Sequence, residues 1–166
     1  MNLEDLETPC LVLDRSILER NLKRMSDTVH LNGVALRPHL KTAKSAEVAR
    51  MATAGEAGGI TVSTLAEAEY FALRGFRDIL LAASLSPDKL DRAGALVERG
   101  AAITVITDDP GAAKTIADHP ASFKVLIEID SGDHRAGVKP ASSAVVEIGR
   151  ALGEKLAGVM THAGHS

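Results

Sequence analysis

The sequence predicts an α/β fold built around a parallel sheet, and three observations lead to it. Short runs of β-branched and other apolar residues alternate with Ala-, Leu- and Glu-rich stretches of helical periodicity along most of the 166 residues. From the second run onward, successive runs begin about 20–33 residues apart, the length of one strand plus one helix. Glycines fall near the ends of the helical stretches, where a left-handed residue ends a helix. This alternation favours parallel strands joined by right-handed crossovers.

Seven strands and the helices between them are expected in chain order. Helix N-caps are expected at Asp14, Thr64, Ser86 and Asp109, since short polar side chains accept hydrogen bonds from the free amides of a first helical turn. Thr64 is followed three residues later by Glu67, which predicts a capping box. The predicted strands are Leu11–Asp14, Val34–His39, Gly59–Ser63, Asp78–Ala83, Ala102–Thr107, Phe123–Asp130 and Leu156–His162.

Two architectures fit this order, an open doubly wound sheet and a (β/α)8 barrel. Neither a G-x-G-x-x-G fingerprint nor a P-loop follows the first strands, which weakens the nucleotide-binding sheet. A closed barrel needs eight strands, whereas about six barrel strands follow Gly33 and one strand precedes the first long helix. The sequence therefore predicts a partial TIM (β/α)8 barrel truncated before closure. Residues 16–166 would form this incomplete barrel, as the N-terminal portion of a longer protein.

Composition excludes several classes of protein. Hydrophobic residues make up 45% of the chain, which is enough for one sizeable core, and the net charge of −3 gives no electrostatic footprint for nucleic acid. No apolar run approaches the roughly 20 residues of a membrane helix. The acidic start lacks the layout of a signal peptide, and the single Cys10 favours a reducing compartment. These features predict a cytoplasmic protein that binds neither nucleic acid nor membranes.

Charged side chains cluster at the predicted strand ends. Because side chains alternate along a strand, Arg37, His39 and Lys41 would point to one face, near the mouth where barrel enzymes carry catalytic groups. The same spacing also fits a solvated basic loop. Glu128 and Asp130 would enter the same lumen, and buried charges persist when they are paired. A lysine with a lowered pKa can attack an aldehyde, and pyridoxal phosphate is the obvious aldehyde cofactor.

Five segments carry a family resemblance. They read TPCLVLD, RPHLKTAKS, GGITVSTLAEAE, EIDSGDHRAGV and GVMTHAGHS, and together they span nearly the whole chain. They resemble the D-threonine aldolase and D-serine dehydratase-like group of alanine-racemase-type (fold type III) pyridoxal-phosphate enzymes. The resemblance implies the N-terminal barrel portion of such an enzyme. It also implies that the strand within residues 1–15 pairs with a C-terminal β domain beyond this chain.

The resemblance assigns roles residue by residue. Lys41 matches the lysine that holds pyridoxal phosphate covalently and later acts as a base, so it is the expected catalytic residue. Arg135 matches the arginine near the phenolic oxygen of the cofactor, and His162 matches the histidine that stacks on its ring. His39, together with Arg37, is expected to shape the cofactor site. No metal ligand is expected in this chain, because the divalent metal, Mn or Zn, would lie in the C-terminal domain.

The resemblance also implies an activity. The full-length parent is expected to be a pyridoxal-phosphate-dependent lyase for a D-β-hydroxy amino acid, of the D-threonine aldolase or the D-serine dehydratase type, and to form a possible homodimer. The fragment alone is expected to be inactive. Two alternatives share the fold: an amino-acid racemase and a non-catalytic pyridoxal-phosphate homeostasis protein. A third alternative, a metal-dependent barrel hydrolase, would use His39, His134, His162 and His165, although His162 and His165 have the spacing of neither the helical HExxH motif nor a zinc finger.

Overall fold

Five parallel strands form one sheet in the computed structural model, which describes residues 2–132 and 134–164. Neighbours in the sheet are also neighbours in sequence, in the order β1-β2-β3-β4-β5, and every pairing is parallel. A doubly wound sheet would reverse its strand order at a switch point, whereas a barrel adds its strands in sequence. The order therefore confirms an unclosed partial barrel. The strands are β1 (Ile60–Val62), β2 (Asp78–Ser84), β3 (Ala102–Thr107), β4 (Lys124–Glu128) and β5 (Leu156–Met160).

Helices connect the strands and cover one face of the sheet. The predicted caps form at Asp14, Thr64 and Asp109, where each side chain accepts a backbone amide of the following turn. None of the described helices is long and apolar enough to cross a bilayer. The described part of the chain contains six α-helices, α1 (Arg15–Leu31), α2 (Ala46–Thr53), α3 (Leu65–Ala72), α4 (Leu90–Glu98), α5 (Pro110–Asp118) and α6 (Ser143–Leu152).

The core lies between the sheet and its helices. Ile79 and Leu81 of β2 are buried toward the helices, while Leu80 of the same strand lines a cavity on the opposite face. Phe71 of α3 is fully buried, and its ring meets Phe76 edge to face at 5.5 Å. The helices thus pack on one face of the sheet, and the other face lines the cavity with both polar and apolar side chains.

Ser86 does not cap a helix as predicted. It precedes a short 3₁₀ turn, Pro87–Lys89, and makes no side-chain capping hydrogen bond, while α4 begins only at Leu90. The Ser86 hydroxyl instead interacts with Asp88 and helps to lower the pKa of that carboxyl. The 3₁₀ turn separates the serine from the helix that it was expected to cap.

The first two predicted strands do not form. Leu11 and Val12 are exposed and belong to no sheet, because no neighbouring strand among the described residues bonds to their backbone. The run Val34–His39 makes only a single parallel bridge, His39 to Thr61. Pro38 has no amide hydrogen, so the ladder cannot extend through it. Pairing of residues 1–15 with a further β domain remains a prediction.

Candidate active site

A cavity of about 540 Å³ lies at the carboxyl ends of the strands, on the face that the helices leave open. This volume is within the range of small-molecule sites, roughly 300–1,000 Å³. Its lining includes all four side chains that the sequence singled out as cofactor-binding, His39, Lys41, Arg135 and His162. The fold thus brings together residues separated by more than 100 positions in sequence.

Lys41 lies in a turn anchored at both ends. Leu40 before it is only 3% exposed, and its amide donates to the Thr61 carbonyl oxygen at 2.9 Å. Lys44 after it closes the turn through its own amide, 2.9 Å from the Leu40 carbonyl oxygen, with φ at +46°. Ser45 then caps α2. The turn holds the backbone of Lys41 in place while its side chain remains exposed to the cavity.

His39 lies directly beside this turn. Its Nδ1 is 3.3 Å from the Lys41 amide, which donates to it, and its Nε2 is 3.5 Å from Ser63 Oγ. Desolvation lowers the pKa of His39 below its ordinary value, and the electrostatic interactions with Lys41 and His162 lower it further. The ring is therefore neutral near pH 7, and because Nδ1 accepts a hydrogen bond, the ring proton lies on Nε2.

Arg135 and His162 face the cavity from the opposite side. Arg135 Nη1 lies 3.3 Å from His162 Nε2. Arg135 belongs to the loop after β4, which Asp130 organises by accepting the amides of Gly132 at 2.9 Å and His134 at 3.1 Å. These two amides and the His134 side chain lower the pKa of Asp130 to about 2. The carboxylate therefore serves the loop and does not pair with a cation of the lumen.

The far end of the same loop is fixed by Gly137. Its amide donates to Asp108 Oδ2 at 2.9 Å, and its φ of +99° is in the region that favours glycine. A Cβ at this position would lie 2.6 Å from the Asp130 amide nitrogen, so no larger residue fits. Arg135 is thus held between two anchored stretches of backbone.

Arg37 lines the amino-terminal floor of the cavity. Its guanidinium forms a bidentate ion pair with Asp78, at 3.0 and 2.7 Å, and reaches the Ile60 carbonyl oxygen at 3.3 Å. Asp78 and Ile60 are the first residues of β2 and β1. Glu128 lines the same cavity as Arg37, His39 and Lys41, as predicted. The same prediction was wrong for Asp130, which serves its own loop, and the carboxylate that pairs with Arg37 is Asp78.

Glu128 is the buried carboxyl group of the cavity. It is 7% exposed and lines the same space as Arg135 and His162. Burial raises its pKa above the ordinary value, and the charge of Asp108 raises it further, while Arg135 and His162 act in the opposite direction. The carboxyl group therefore holds a proton more readily than an ordinary glutamate does.

Glu67, the partner of Thr64 in the predicted capping box, is buried and does not belong to a solvated helix face. Glu67 is only 9% exposed, and its Oε2 accepts the Ser63 amide at 2.8 Å. Its Oε1 is 3.2 Å from Lys44 Nζ. The signal that could have identified it was the capping box with Thr64, whose hydroxyl accepts the Glu67 amide at 3.1 Å.

Metal ligation was the basis of the hydrolase alternative. Within residues 2–132 and 134–164, no three His, Cys, Asp or Glu side chains gather in a way that could hold a metal ion. His39 and His162 line the cavity, whereas His134 pairs with Asp130 at 2.8 Å. His165 lies outside the described residues.

The donor set of the cavity fits pyridoxal phosphate. An exposed amine at Lys41 can bond to an aldehyde carbon, and the Arg135 guanidinium can donate to an anionic oxygen. His162 contributes a flat ring next to that guanidinium. The side chains of β2 and β3 that line the cavity are less polar, with Leu80, Ala82 and Ile106 suited to an aromatic ring. The residues present therefore match the chemistry of the cofactor that the resemblance implies.

Comparison with known proteins identifies relatives of the whole chain. The family model "Alanine racemase, N-terminal domain" matches residues 13–166. D-threo-3-hydroxyaspartate dehydratase of Delftia sp. HT23 is 44% identical over 97% of this chain and 44% of its own length. 3-Hydroxy-D-aspartate aldolase of Paracoccus denitrificans is 36% identical over 91% of this chain and 40% of its own length. The chain thus spans less than half the length of these relatives.

Solved structures agree with the sequence matches. The Delftia dehydratase superposes with a TM-score of 0.91 at 43% identity, covering 96% of this chain and 44% of its own. D-threonine aldolase from Filomicrobium marinum superposes with a TM-score of 0.85 at 32% identity, covering 95% of this chain and 44% of its own. The fold described above therefore has counterparts in proteins of closely similar backbone.

Proposed function

Because the chain belongs to the alanine racemase N-terminal domain family of fold type III pyridoxal-phosphate enzymes, we propose that its full-length protein is a lyase for D-β-hydroxy amino acids. The observation that carries the proposal is Lys41, an exposed amine at the mouth of a barrel cavity, in a chain 44% identical to a D-threo-3-hydroxyaspartate dehydratase. Other relatives are an aldolase for 3-hydroxy-D-aspartate and dehydratases for D-serine. The reaction type is therefore elimination of the β-hydroxyl or cleavage of the Cα–Cβ bond.

Four residues of this chain would hold the cofactor, which when bound supplies an electron sink for charge developing at Cα. Lys41 would bind the aldehyde carbon through Nζ. Arg135 would donate to the phenolic oxygen, with His162 against the ring and His39 holding the Lys41 backbone. In a dehydratase, the Lys41 amine would accept the Cα proton as a general base.

We further propose that a divalent metal, Mn or Zn, activates the β-hydroxyl from ligands outside this chain. A metal ion lowers the pKa of a bound hydroxyl and so makes it a better proton donor or leaving group. The proposal is supported by a variant of the Delftia dehydratase whose structure is described as the metal-free form. A cytoplasmic location and a homodimer complete the proposal, and the exposed thiol of Cys10 fits a reducing compartment.

The test uses the full-length protein. It would be loaded with pyridoxal phosphate, reduced with borohydride and digested, and the labelled peptide would be mapped. It would then be assayed with D-threo-3-hydroxyaspartate, D-threonine and D-serine, with and without a chelator. We expect the label on Lys41 and chelator-sensitive turnover of at least one substrate. Label on another lysine, or none of these substrates consumed, would refute the proposal.

A further inference from the structure

The Lys41 turn is tied to α3 by one buried carboxylate, Glu67. Its two oxygens have different partners: Oε1 lies 3.2 Å from Lys44 Nζ, and Oε2 accepts the Ser63 amide at 2.8 Å. Lys44 ends the turn that carries Lys41, and Ser63 follows β1. A single side chain of 9% exposure therefore connects the catalytic turn to the sheet.

A second connection runs from Ser63 back to the lysine. Ser63 Oγ is 3.5 Å from His39 Nε2, and His39 Nδ1 accepts the Lys41 amide at 3.3 Å. The contacts therefore lead from Glu67 through Ser63 and His39 to Lys41 on one side, and through Lys44 on the other. Together they close a ring around the turn, with Glu67 as the member shared by both sides.

The conformation of Lys44 shows why an ion pair is useful at this point. Its φ of +46° is left-handed, a region that a lysine adopts at a cost and that glycine adopts freely. A lysine held there by a carboxylate keeps its ammonium next to Glu67, and so directs the positive charge of Lys44 away from the cavity that Lys41 faces. The two lysines of this turn therefore have different surroundings: Lys44 pairs with Glu67, and Lys41 faces the cavity.

We propose that Glu67 is a positioning residue for Lys41, which it serves through Lys44 on one side and through Ser63 and His39 on the other. The inference rests on the proposed function for its catalytic meaning, while the network itself consists only of contacts between residues of this chain. The charges that act on His39 are those of Lys41, His162 and Glu67, and only Glu67 favours its protonated form. Removing the Glu67 charge therefore makes His39 harder to protonate.

The experiment compares Glu67→Gln and Glu67→Ala with Glu69→Gln in the full-length protein. The glutamine can still accept the Ser63 amide but cannot pair with Lys44, whereas the alanine loses both contacts. Glu69 is the matched control, because it lies on the same helix and pairs with Arg92 at 2.9 Å, outside the cavity. Lys44→Gly is the fourth variant, since glycine suits the left-handed backbone and lacks the ion pair.

Two readouts are measured. The first is the ¹⁵N NMR titration of the His39 ring in the cofactor-free protein, which reports both its midpoint and its tautomer. The second is the rate at which pyridoxal phosphate labels Lys41 under borohydride. We expect a lower His39 midpoint in both Glu67 variants, and labelling slower by about 10-fold in Glu67→Ala, with smaller losses in Glu67→Gln and Lys44→Gly, since a misplaced nucleophile loses rate steeply.

The result that overturns the proposal is unchanged labelling and an unchanged His39 midpoint in Glu67→Gln, which keeps the Ser63 contact and should fold. Labelling that falls equally in Glu69→Gln would also overturn it, because the effect would then be unspecific. If the unsubstituted protein takes no label at Lys41, the proposed function fails. In that case the His39 midpoint and tautomer alone decide whether Glu67 organises the turn.

Discussion

The amino-terminal floor and the carboxyl-terminal mouth of the cavity each carry a basic side chain, but the two side chains differ in pairing and exposure. At the floor, Arg37 is fixed by two hydrogen bonds to Asp78 and by the Ile60 carbonyl. At the mouth, four residues later, Lys41 is exposed beside the imidazole of His39, and its ammonium is close enough to lower the pKa of that ring. Of two basic residues in one short segment, one is thus held in an ion pair at the floor, and the other is exposed at the mouth, where the proposed function places the reaction.

The difference follows from where each residue meets the sheet. Arg37 lies level with the first residues of β1 and β2, where Asp78 supplies a carboxylate of matching geometry. Lys41 lies past the strand ends, in a turn whose nearby carboxylate, Glu67, is already engaged by Lys44. Barrel enzymes carry their catalytic groups at this mouth, while the opposite end contributes stability.

Replacing the mouth lysine should give the largest effect. In Lys41→Ala, capture of pyridoxal phosphate by borohydride is expected to fall at least roughly 100-fold, because no other group replaces the nucleophile. The measurement is labelled peptide per protein, with Lys23→Ala on α1 as the control for general lysine loss. Retention of the long-wavelength absorbance of the bound cofactor in Lys41→Ala would contradict the assignment.

Breaking the floor pair should affect stability more than cofactor capture. Arg37→Met or Asp78→Asn is expected to cost about 1 kcal/mol, since the pair is bidentate but partly exposed to water. For a chain of this size, that is a fall in Tm of roughly 2–4 °C. Calorimetry of both single variants and the double variant measures the coupling. A loss of cofactor capture as large as that of Lys41→Ala would show that the two ends are not separate.

Glu128 offers a pH test at the mouth. Its folded-state pKa is raised, chiefly by burial, so the folded protein binds the proton more tightly than the unfolded chain does. Its contribution to stability is therefore complete below the ordinary glutamate pKa and is lost as pH rises through the raised one. Glu128→Gln should raise Tm by about 2 °C at pH 7 and by less at pH 4. A larger gain at pH 4 than at pH 7 would contradict this sign.

The Arg135 loop should show the smallest effect, confined to acid. The Asp130 pKa of about 2 is below its ordinary value, so its contribution to stability is present above pH 4 and is lost as pH falls toward 2. Proteolysis or amide exchange of residues 130–138 should therefore increase between pH 4 and pH 2. Asp130→Asn should show this increase already at pH 7. If proteolysis or amide exchange of these residues still increases between pH 4 and pH 2 in Asp130→Asn as it does in the unsubstituted protein, protonation of Asp130 is not the cause of the increase.

Local signals predicted much of the fold. The strand Ala102–Thr107 forms with the predicted bounds, and the side chains of Thr64 and Asp109 cap the helices that follow them. These elements depend on neighbouring residues alone: a β-branched run, a polar cap, a proline after the cap. The family motifs likewise identified a lysine, an arginine and two histidines that line one cavity.

Partners distant in sequence could not be predicted from such signals. Asp78 rather than Glu128 balances Arg37, and Asp130 serves its own loop. Whether Val34–His39 pairs as a strand depends on a neighbouring ladder, and Pro38 limits it to the single bridge from His39. The burial of Glu67 depends on how the Lys41 turn folds over α3.

The sequence by itself determined the order of strands and helices, the family and the identity of the chemical groups, because periodicity, caps and motifs are properties of adjacent residues. Only the tertiary structure decided which charges meet. Ion pairs and hydrogen bonds depend on distances of about 3 Å between residues tens of positions apart, and these distances exist only after the sheet has brought its strand ends together. Lys41 is exposed to the cavity, while the carboxylates of Glu67 and Asp78 are paired with Lys44 and Arg37.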